Sequence, residues 1–337
     1  MGHFWNHVMR LCRYGLIEQP QVGLYDEAGI IPLSLAELAY HQGTGKWLHI
    51  PHDDELISYL PPVGEHHLAM RRLWTWLEQN PGAVPGPLRL DPETTRILTP
   101  VARPNKLLLL AGNYAEHVKE RGYVVEEQQN TFPYVFMKPA STTLSNHGQS
   151  VAIPSSSPDG IDWECELAVV IGRKCRNVTE AEALSHVAGY TVINDISHRK
   201  FRPNPGRKTR ERDKFFDWLH GKWFDGFCPC GPCITSATTI PDPHTLGVKL
   251  TLNGEVRQNG STAQMIFSIA QIIKFVSEML TLEPGDIIST GTPSGVGSAS
   301  NTFLKPGDVM HASIEKIGTL LTPMVSEAEE GDSSWDI

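Results

Sequence analysis

From Lys106 onward the chain is a succession of short apolar runs cut by Gly, Pro and Asp: "LLLLA", "YVFM", "LAVVI", "YTVI". Runs this short, bounded by turn residues, read as buried strands rather than helices. One segment has helical spacing instead. Across Thr262 to Leu280, apolar residues recur at Met265, Ile266, Ile269, Ile272, Ile273, Val276, Met279 and Leu280, which predicts one amphipathic helix. A Leu-x-Pro-Gly-Asp turn occurs twice, as "LEPGDII" and "LKPGDVM", and each copy launches a strand. Between them "STGTPSGVG" is too Gly-rich for either regular element, and it lacks the Gly-Lys-Ser/Thr ending of a phosphate loop.

The first 100 residues have another texture, with strand-like "VGLYDEAGIIPL" beside helical "LSLAELAYHQ" and "HHLAMRRLWTWLEQ". A Pro/Gly-rich connection, "NPGAVPGPLRLDPETTRILTPVARPN", follows. The pattern predicts an α+β protein: a small N-terminal α/β domain over 1–100 and a strand-dominated domain over 101–324. Residues 1–8 are expected to be an extension outside the fold, and the acidic segment 325–337 a loosely ordered tail.

Composition narrows the function classes. A net charge of −9 argues against a nucleic-acid surface and supplies no polybasic membrane anchor. No apolar run approaches the ~20 residues that cross a bilayer, and the N-terminus lacks the apolar core and cleavage site of a signal peptide. The six cysteines do not form a disulfide scaffold in a chain of 337 residues. Three of them, Cys228, Cys230 and Cys233 in "FCPCGPCI", have no second ligand pair at zinc spacing; they read as structural thiols in a turn entering a strand at Ile234. The expectation is a cytoplasmic protein acting on a small molecule.

Candidate chemistry starts at "IDWECELAVVIG". In a strand, residues two apart share a face, so Asp162, Glu164 and Glu166 would project together beside buried backbone. Clustered carboxylates repel, and a hard divalent cation removes that repulsion. Glu164 and Glu166 could ligate one ion, and Asp195 stands at the end of the strand in "GYTVINDIS". In "GNYAEHVKERG", His117 and Glu120 are neighbours on one helical face, where a carboxylate can orient imidazole as a general base. Lys138 in "YVFMKPAS" and Lys222 in "FFDWLHGKWFDGF" could meet a substrate carboxylate or a developing enolate. Taken singly, each feature has a plainer reading: solvated acids, an exposed His–Glu pair, and lysine stems covering aromatic surface.

Taken in chain order, "GNYAEH", "FMKPAS", "DWECELAVVIG", "GYTVINDIS", "GKWFDGFCPCGPCI", "LTLNGEVRQNGSTAQMIFSIAQII" and "LEPGDIISTGTPSGVG" resemble the fumarylacetoacetate hydrolase family over roughly residues 106–312. The resemblance implies a mixed β-roll catalytic domain, a homodimer, and Mg²⁺ or Mn²⁺ (Ca²⁺ as a substitute) held by Glu164, Glu166 and Asp195. It further implies a water-activating dyad at His117 and Glu120, an active-site lysine at Lys222 and a substrate-facing Thr292. Asp162 then becomes a neighbour of the metal ligands. The implied reaction is hydrolysis of the C–C bond of a 2,4-dioxo acid through a metal-stabilised enolate. The alternative is decarboxylation or tautomerisation of a 2-oxo diacid on the same site. The chain departs from relatives after "NDIS". Arg199 is kept, but Arg202 stands where relatives carry a substrate-contacting glutamine, and a basic segment, "PNPGRKTRERDK", follows. With Lys138, these arginines predict an anionic or multiply carboxylated substrate.

Overall fold

The apolar runs hydrogen-bond into one large sheet. The computed structural model describes residues 8–51, 55–120, 122 and 130–330. The sheet runs Gly29–Pro32, Gln19–Asp26, Arg10–Leu16, Cys228–Ser236, Val187–Asn194, Cys165–Ile171, Ile287–Ser289, Leu107–Ala111, Tyr134–Met137, and short strands Ile97–Leu98 and Leu144–Ser145 join it from the side. A second sheet is built from Glu255–Ser261, Gly247–Leu252, Val309–Ile314, Gly318–Ser326 and Val151–Ile153. Both sheets remain open at their edges, and the architecture is the strand-dominated α+β fold expected from the sequence.

Alternation explains why the central strands are apolar on every residue. Leu167, Val169 and Ile171 pack with Leu250, Met310 and Leu320 of the second sheet and with Ile272, Ile273 and Val276 of the helix Ile269–Met279. Ala168 and Val170 point the other way, into a core shared with Tyr40, Met70, Leu73 and Trp74 from the N-terminal helices Leu33–Thr44 and His67–Gln79. A strand covered on both faces reads as a continuous hydrophobic run. The N-terminal strands belong to the same sheet: Arg10 pairs with Thr235 and Leu11 with Ile234. Val8 is buried in the core, so the expected extension does not include it; residues 1–7 lie outside the described set.

Three expectations change. The helix begins at Ile269, seven residues later than its apolar spacing implied, because Ser268 caps it with Gln271 in a reciprocal capping box. Thr262–Gln264 is a single 3₁₀ turn, and the intervening Met265 and Ile266 are held extended against Tyr114 and Asn113. The cysteine segment is strand from Cys228 on, because it pairs with both Val187–Asn194 and Leu144–Ser145; a register shift in the first of these ladders accommodates Pro232. All three thiols are buried, and burial pushes each of them up. The start of the acidic tail is ordered: Ser326 ends a strand, Glu327–Glu330 forms a helical turn, and Glu327 accepts from the Ser155 backbone N–H at 2.9 Å. Residues 331–337 lie outside the described set. No helix among the described residues is long and apolar enough to cross a membrane.

Candidate metal centre and active site

Strand register brings the acids together. Cys165 lies opposite Asn194 in the antiparallel pair, so the next residues outward, Glu164 and Asp195, face each other. The Asp195 N–H donates to the Glu164 carbonyl at 2.8 Å, and the Glu164 N–H donates to Asn194 Oδ1 at 3.0 Å. Glu166 projects from within the strand and accepts from Ser289 Oγ at 2.6 Å and from the Gly291 N–H at 3.0 Å. One carboxylate oxygen from each of Glu164, Glu166 and Asp195 lies within 4.8 Å of the others, and all three residues are buried. Asp162 is elsewhere. The chain leaves regular strand geometry between Asp162 and Cys165, and the Asp162 carboxylate is consumed by Arg199 Nε (2.8 Å) and by the backbone N–H groups of Trp163, Gly297 and Ser298.

Two acids two residues apart have opposite electrostatics. Burial raises Glu164, but Arg199, Lys222 and His117 outweigh it and hold the carboxyl well below its usual range. Glu166 is pushed well above that range by burial and by the charges of Asp195 and Glu164. Lys222 donates to Glu164 Oε2 at 2.6 Å and to Asp195 Oδ2; burial lowers its ammonium, and the two carboxylates more than reverse that. No side-chain cation pairs with Glu166 among the described residues; its hydrogen bonds come from a hydroxyl and a backbone N–H. An all-carboxylate, buried set with one acid left under repulsion fits a hard divalent cation, Mg²⁺, Mn²⁺ or Ca²⁺, better than zinc.

Lys138 does not face the pocket. Its ammonium donates to Asp195 Oδ1 (2.5 Å), the Phe227 carbonyl (2.5 Å) and the Ile196 carbonyl (3.1 Å), which uses all three donors. It anchors Asp195 from behind. Thr292 does line the acid pocket, but its hydroxyl donates to the Cys165 carbonyl at 2.9 Å and accepts from Gln258 Nε2 at 2.8 Å. Gln258, absent from the sequence reading, also accepts from the Cys165 N–H at 2.9 Å and donates to the Pro293 carbonyl at 2.8 Å. It ties the strand bearing Glu166 to the Gly-rich loop. One polar residue in a hairpin strand carries no sequence signal for such a role.

The helix Ala115–Glu120 brings the dyad to the acids. His117 Nδ1 lies 2.7 Å from Glu120 Oε1, and Glu120 Oε2 accepts from the Gly295 N–H at 2.8 Å. His117 is buried, with Nε2 3.9 Å from Glu164 Oε1. Gly295 has φ +102°, and a Cβ there would lie 2.1 Å from the Arg257 carbonyl oxygen. Gly295→Ala is therefore expected to move the N–H away from Glu120 and lower kcat about tenfold or more, as a misoriented base does. Cation affinity, titrated calorimetrically, should change little, because Gly295 touches none of the three acids.

A larger cavity of about 1040 Å³ adjoins the acid pocket, sharing Gly112, His117 and Trp218 with it. Its walls include Phe132, Phe136, Phe215, Phe267 and Phe275, with Arg199 and Arg202 among the polar residues. The structure thus gathers His117, Glu120, Glu164, Glu166, Asp195, Lys222 and Thr292 in one place. It sets Arg199 and Arg202 in the adjoining cavity wall and leaves Lys138 behind Asp195.

Residues 106–325 match the family described as Fumarylacetoacetate (FAA) hydrolase C-terminal. A mitochondrial oxaloacetate tautomerase of Homo sapiens is 40% identical over 230 residues, covering 68% of this chain and 69% of its own. A 2,4-didehydro-3-deoxy-L-rhamnonate hydrolase of Sphingomonas sp. (strain SKA58) is 41% identical over 314 residues, covering 92% of this chain and 94% of its own. Among solved structures, the maleylpyruvate hydrolase from Sphingobium sp. SYK-6 superposes with a TM-score of 0.67 at 28% identity, over 94% of this chain and all of that one (100%).

Proposed function

The chain belongs to the fumarylacetoacetate hydrolase family, and from that membership we propose that it hydrolyses the C3–C4 bond of a 2,4-dioxo acid. The observation that carries this reading is the buried dyad. Glu120, fixed by the Gly295 N–H, holds His117 Nδ1, which leaves Nε2 turned toward the acid cluster as a base for water. A second observation supports hydrolysis over other reactions of the family. A curated relative that matches over 92% of this chain is a hydrolase, and its name denotes a 2,4-dioxo acid.

Glu164, Glu166 and Asp195 would hold the cation. Bound there, a divalent ion supplies Lewis-acid stabilisation for negative charge on the oxygen of the 2-oxo group. His117 takes a proton from water, and the hydroxide adds to the C4 carbonyl. Collapse of that adduct breaks C3–C4, and the electron pair is left on C3 in conjugation with the 2-oxo group. C3 takes a proton from solvent and His117 returns its own proton to solvent, which yields a carboxylic acid and a 2-oxo acid. Lys222, in the wall of the acid pocket, adds fixed positive charge where the enolate forms. Lys138 and Gln258 keep Asp195 and the Gly-rich loop in place.

Tautomerisation of oxaloacetate is the second reading, favoured by the 40% identity to an oxaloacetate tautomerase. It needs proton transfer at C3 and no attacking water. A panel of 2,4-dioxo acids and oxaloacetate, assayed for carboxylic-acid release and for enol absorbance, separates the two. Carboxylic-acid release that falls to background after chelation and returns with Mg²⁺ or Mn²⁺ is the expected result. Metal-dependent enol conversion without C–C cleavage would replace the hydrolase reading by the tautomerase one.

A further inference from the structure

We infer that Asp162 is a positioning residue for the cation: it neutralises Arg199, and by doing so leaves the charge of Glu164 available to the metal. The inference rests on the cation site proposed above and goes beyond it, to an acid outside the ligand set.

A carboxylate at this place needs a reason. Asp162 is fully buried and does not belong to the group of acids that converge on the cation site. Burying an ionised carboxylate is costly unless its oxygens are paired, and here both are. Oδ1 accepts from the Trp163 N–H at 2.8 Å and from the Gly297 N–H at 2.6 Å. Oδ2 accepts from the Ser298 N–H at 3.0 Å and from Arg199 Nε at 2.8 Å. Three backbone donors fix the acid in position, and Arg199 is the side-chain cation it compensates.

Arg199 is a fork with an acid on each of two nitrogens. Nε donates to Asp162 and Nη2 to Glu164, and the side chain is only 7% exposed, so water screens the charges little. Burial raises Glu164, and Arg199 is the largest of the charges that bring it down. A cation at Glu164 therefore competes with the guanidinium for one carboxylate and is repelled by it. Asp162 takes up part of that positive charge and weakens the competition.

The charges around the site give the same answer. The acids Asp162, Glu164, Glu166 and Asp195 meet the side-chain cations Lys138, Arg199 and Lys222, while Glu120 is turned to His117 and the Gly295 N–H. With all of these ionised, four acids face three cations and one negative charge is left over. Without Asp162 the excess is gone, and a divalent ion enters a neutral surround.

The test is calorimetric titration of Mn²⁺ into the full-length protein after chelator treatment, comparing wild type, Asp162→Asn, Arg199→Gln and the double variant. Asp162→Asn is expected to bind Mn²⁺ about 10- to 100-fold more weakly, the usual cost of losing a residue that supports a metal ligand. Arg199→Gln should bind at least as tightly as wild type, because the competing charge is gone. On that background Asp162→Asn should change affinity by less than roughly threefold, since its target has been removed. The same loss on both backgrounds would mean that Asp162 acts through the backbone at Gly297 and Ser298, and overturns the inference. Should Asp162→Asn fail to fold, the remaining variants decide: weaker binding by Arg199→Gln than by wild type, or by the double variant than by Arg199→Gln, overturns it. Wild type that binds no Mn²⁺ overturns the cation site and this inference with it. Wild type that binds, beside an Asp162→Asn variant that binds equally well, overturns the inference alone.

Discussion

His117→Ala should lower kcat for C–C hydrolysis by about 10²–10⁴, the usual worth of a positioned general base, and leave oxaloacetate enolisation nearly intact. The two activities separate because they use the dyad differently. Hydrolysis needs a water deprotonated at Nε2, and Nε2 is the nitrogen that Glu120 leaves free by holding Nδ1 at 2.7 Å. Enolisation needs no attacking water: a cation held by Glu164, Glu166 and Asp195, together with Lys222, would acidify the C3 proton enough for solvent to take it. Removing the imidazole leaves Glu164, Glu166 and Asp195 in place, so calorimetry should report a nearly unchanged cation affinity. Glu120→Gln should fall between the variant and wild type, since an amide can still orient the ring but stabilises imidazolium less. Equal loss of hydrolysis and enolisation in His117→Ala would mean that the imidazole acts on C3 itself and not on water.

The sequence was legible where a local rule had nothing to compete with. The run Leu167–Ile171 announced a strand buried on both faces, and both faces are covered. The Glu164–Glu166 spacing announced an acid pair, and the hydrogen-bond register with Val187–Asn194 brings Asp195 to it. Local rules failed where distant chain intervened. Period two puts Asp162 beside Glu164, yet four hydrogen-bond donors from Arg199 and backbone near Trp163 and Gly297 draw it away. Met265 and Ile266 fit the helical pattern, yet the loop at Asn113 and Tyr114 takes them as an extended segment. Lys138 was legible as a lysine at a strand end. The two carbonyls that fix it behind Asp195, those of Ile196 and Phe227, come together only in the folded chain.

Glu164→Gln and Glu166→Gln should both remove most of the divalent-cation affinity, since each deletes one of three charged ligands. In chelator-treated protein they should change stability in opposite directions. Glu164 compensates Arg199 and Lys222, both buried, and replacing one partner of a buried ion pair costs about 3–5 kcal/mol. Glu166 faces two carboxylates, so the same substitution there relieves repulsion and should leave the metal-free protein as stable or more so. The pH dependence follows from the direction of each shift. Glu164 is depressed in the folded state; its contribution is present above the unfolded value of ~4.3 and is lost as pH falls through the folded one. The deficit of Glu164→Gln should therefore be full at neutral pH, persist at pH 4 and shrink only in stronger acid, as pH falls toward the folded value. Glu166 is raised; folding favours its protonated form, an advantage present below ~4.3 and lost as pH rises toward the folded value. The gain from Glu166→Gln should accordingly appear at neutral pH and vanish in acid. Chemical denaturation of both variants and wild type at pH 4 and pH 7, with chelator throughout, reads this directly. If both variants are destabilised alike at pH 7, the acids share the local cations evenly, and the division of labour between Glu164 and Glu166 is wrong.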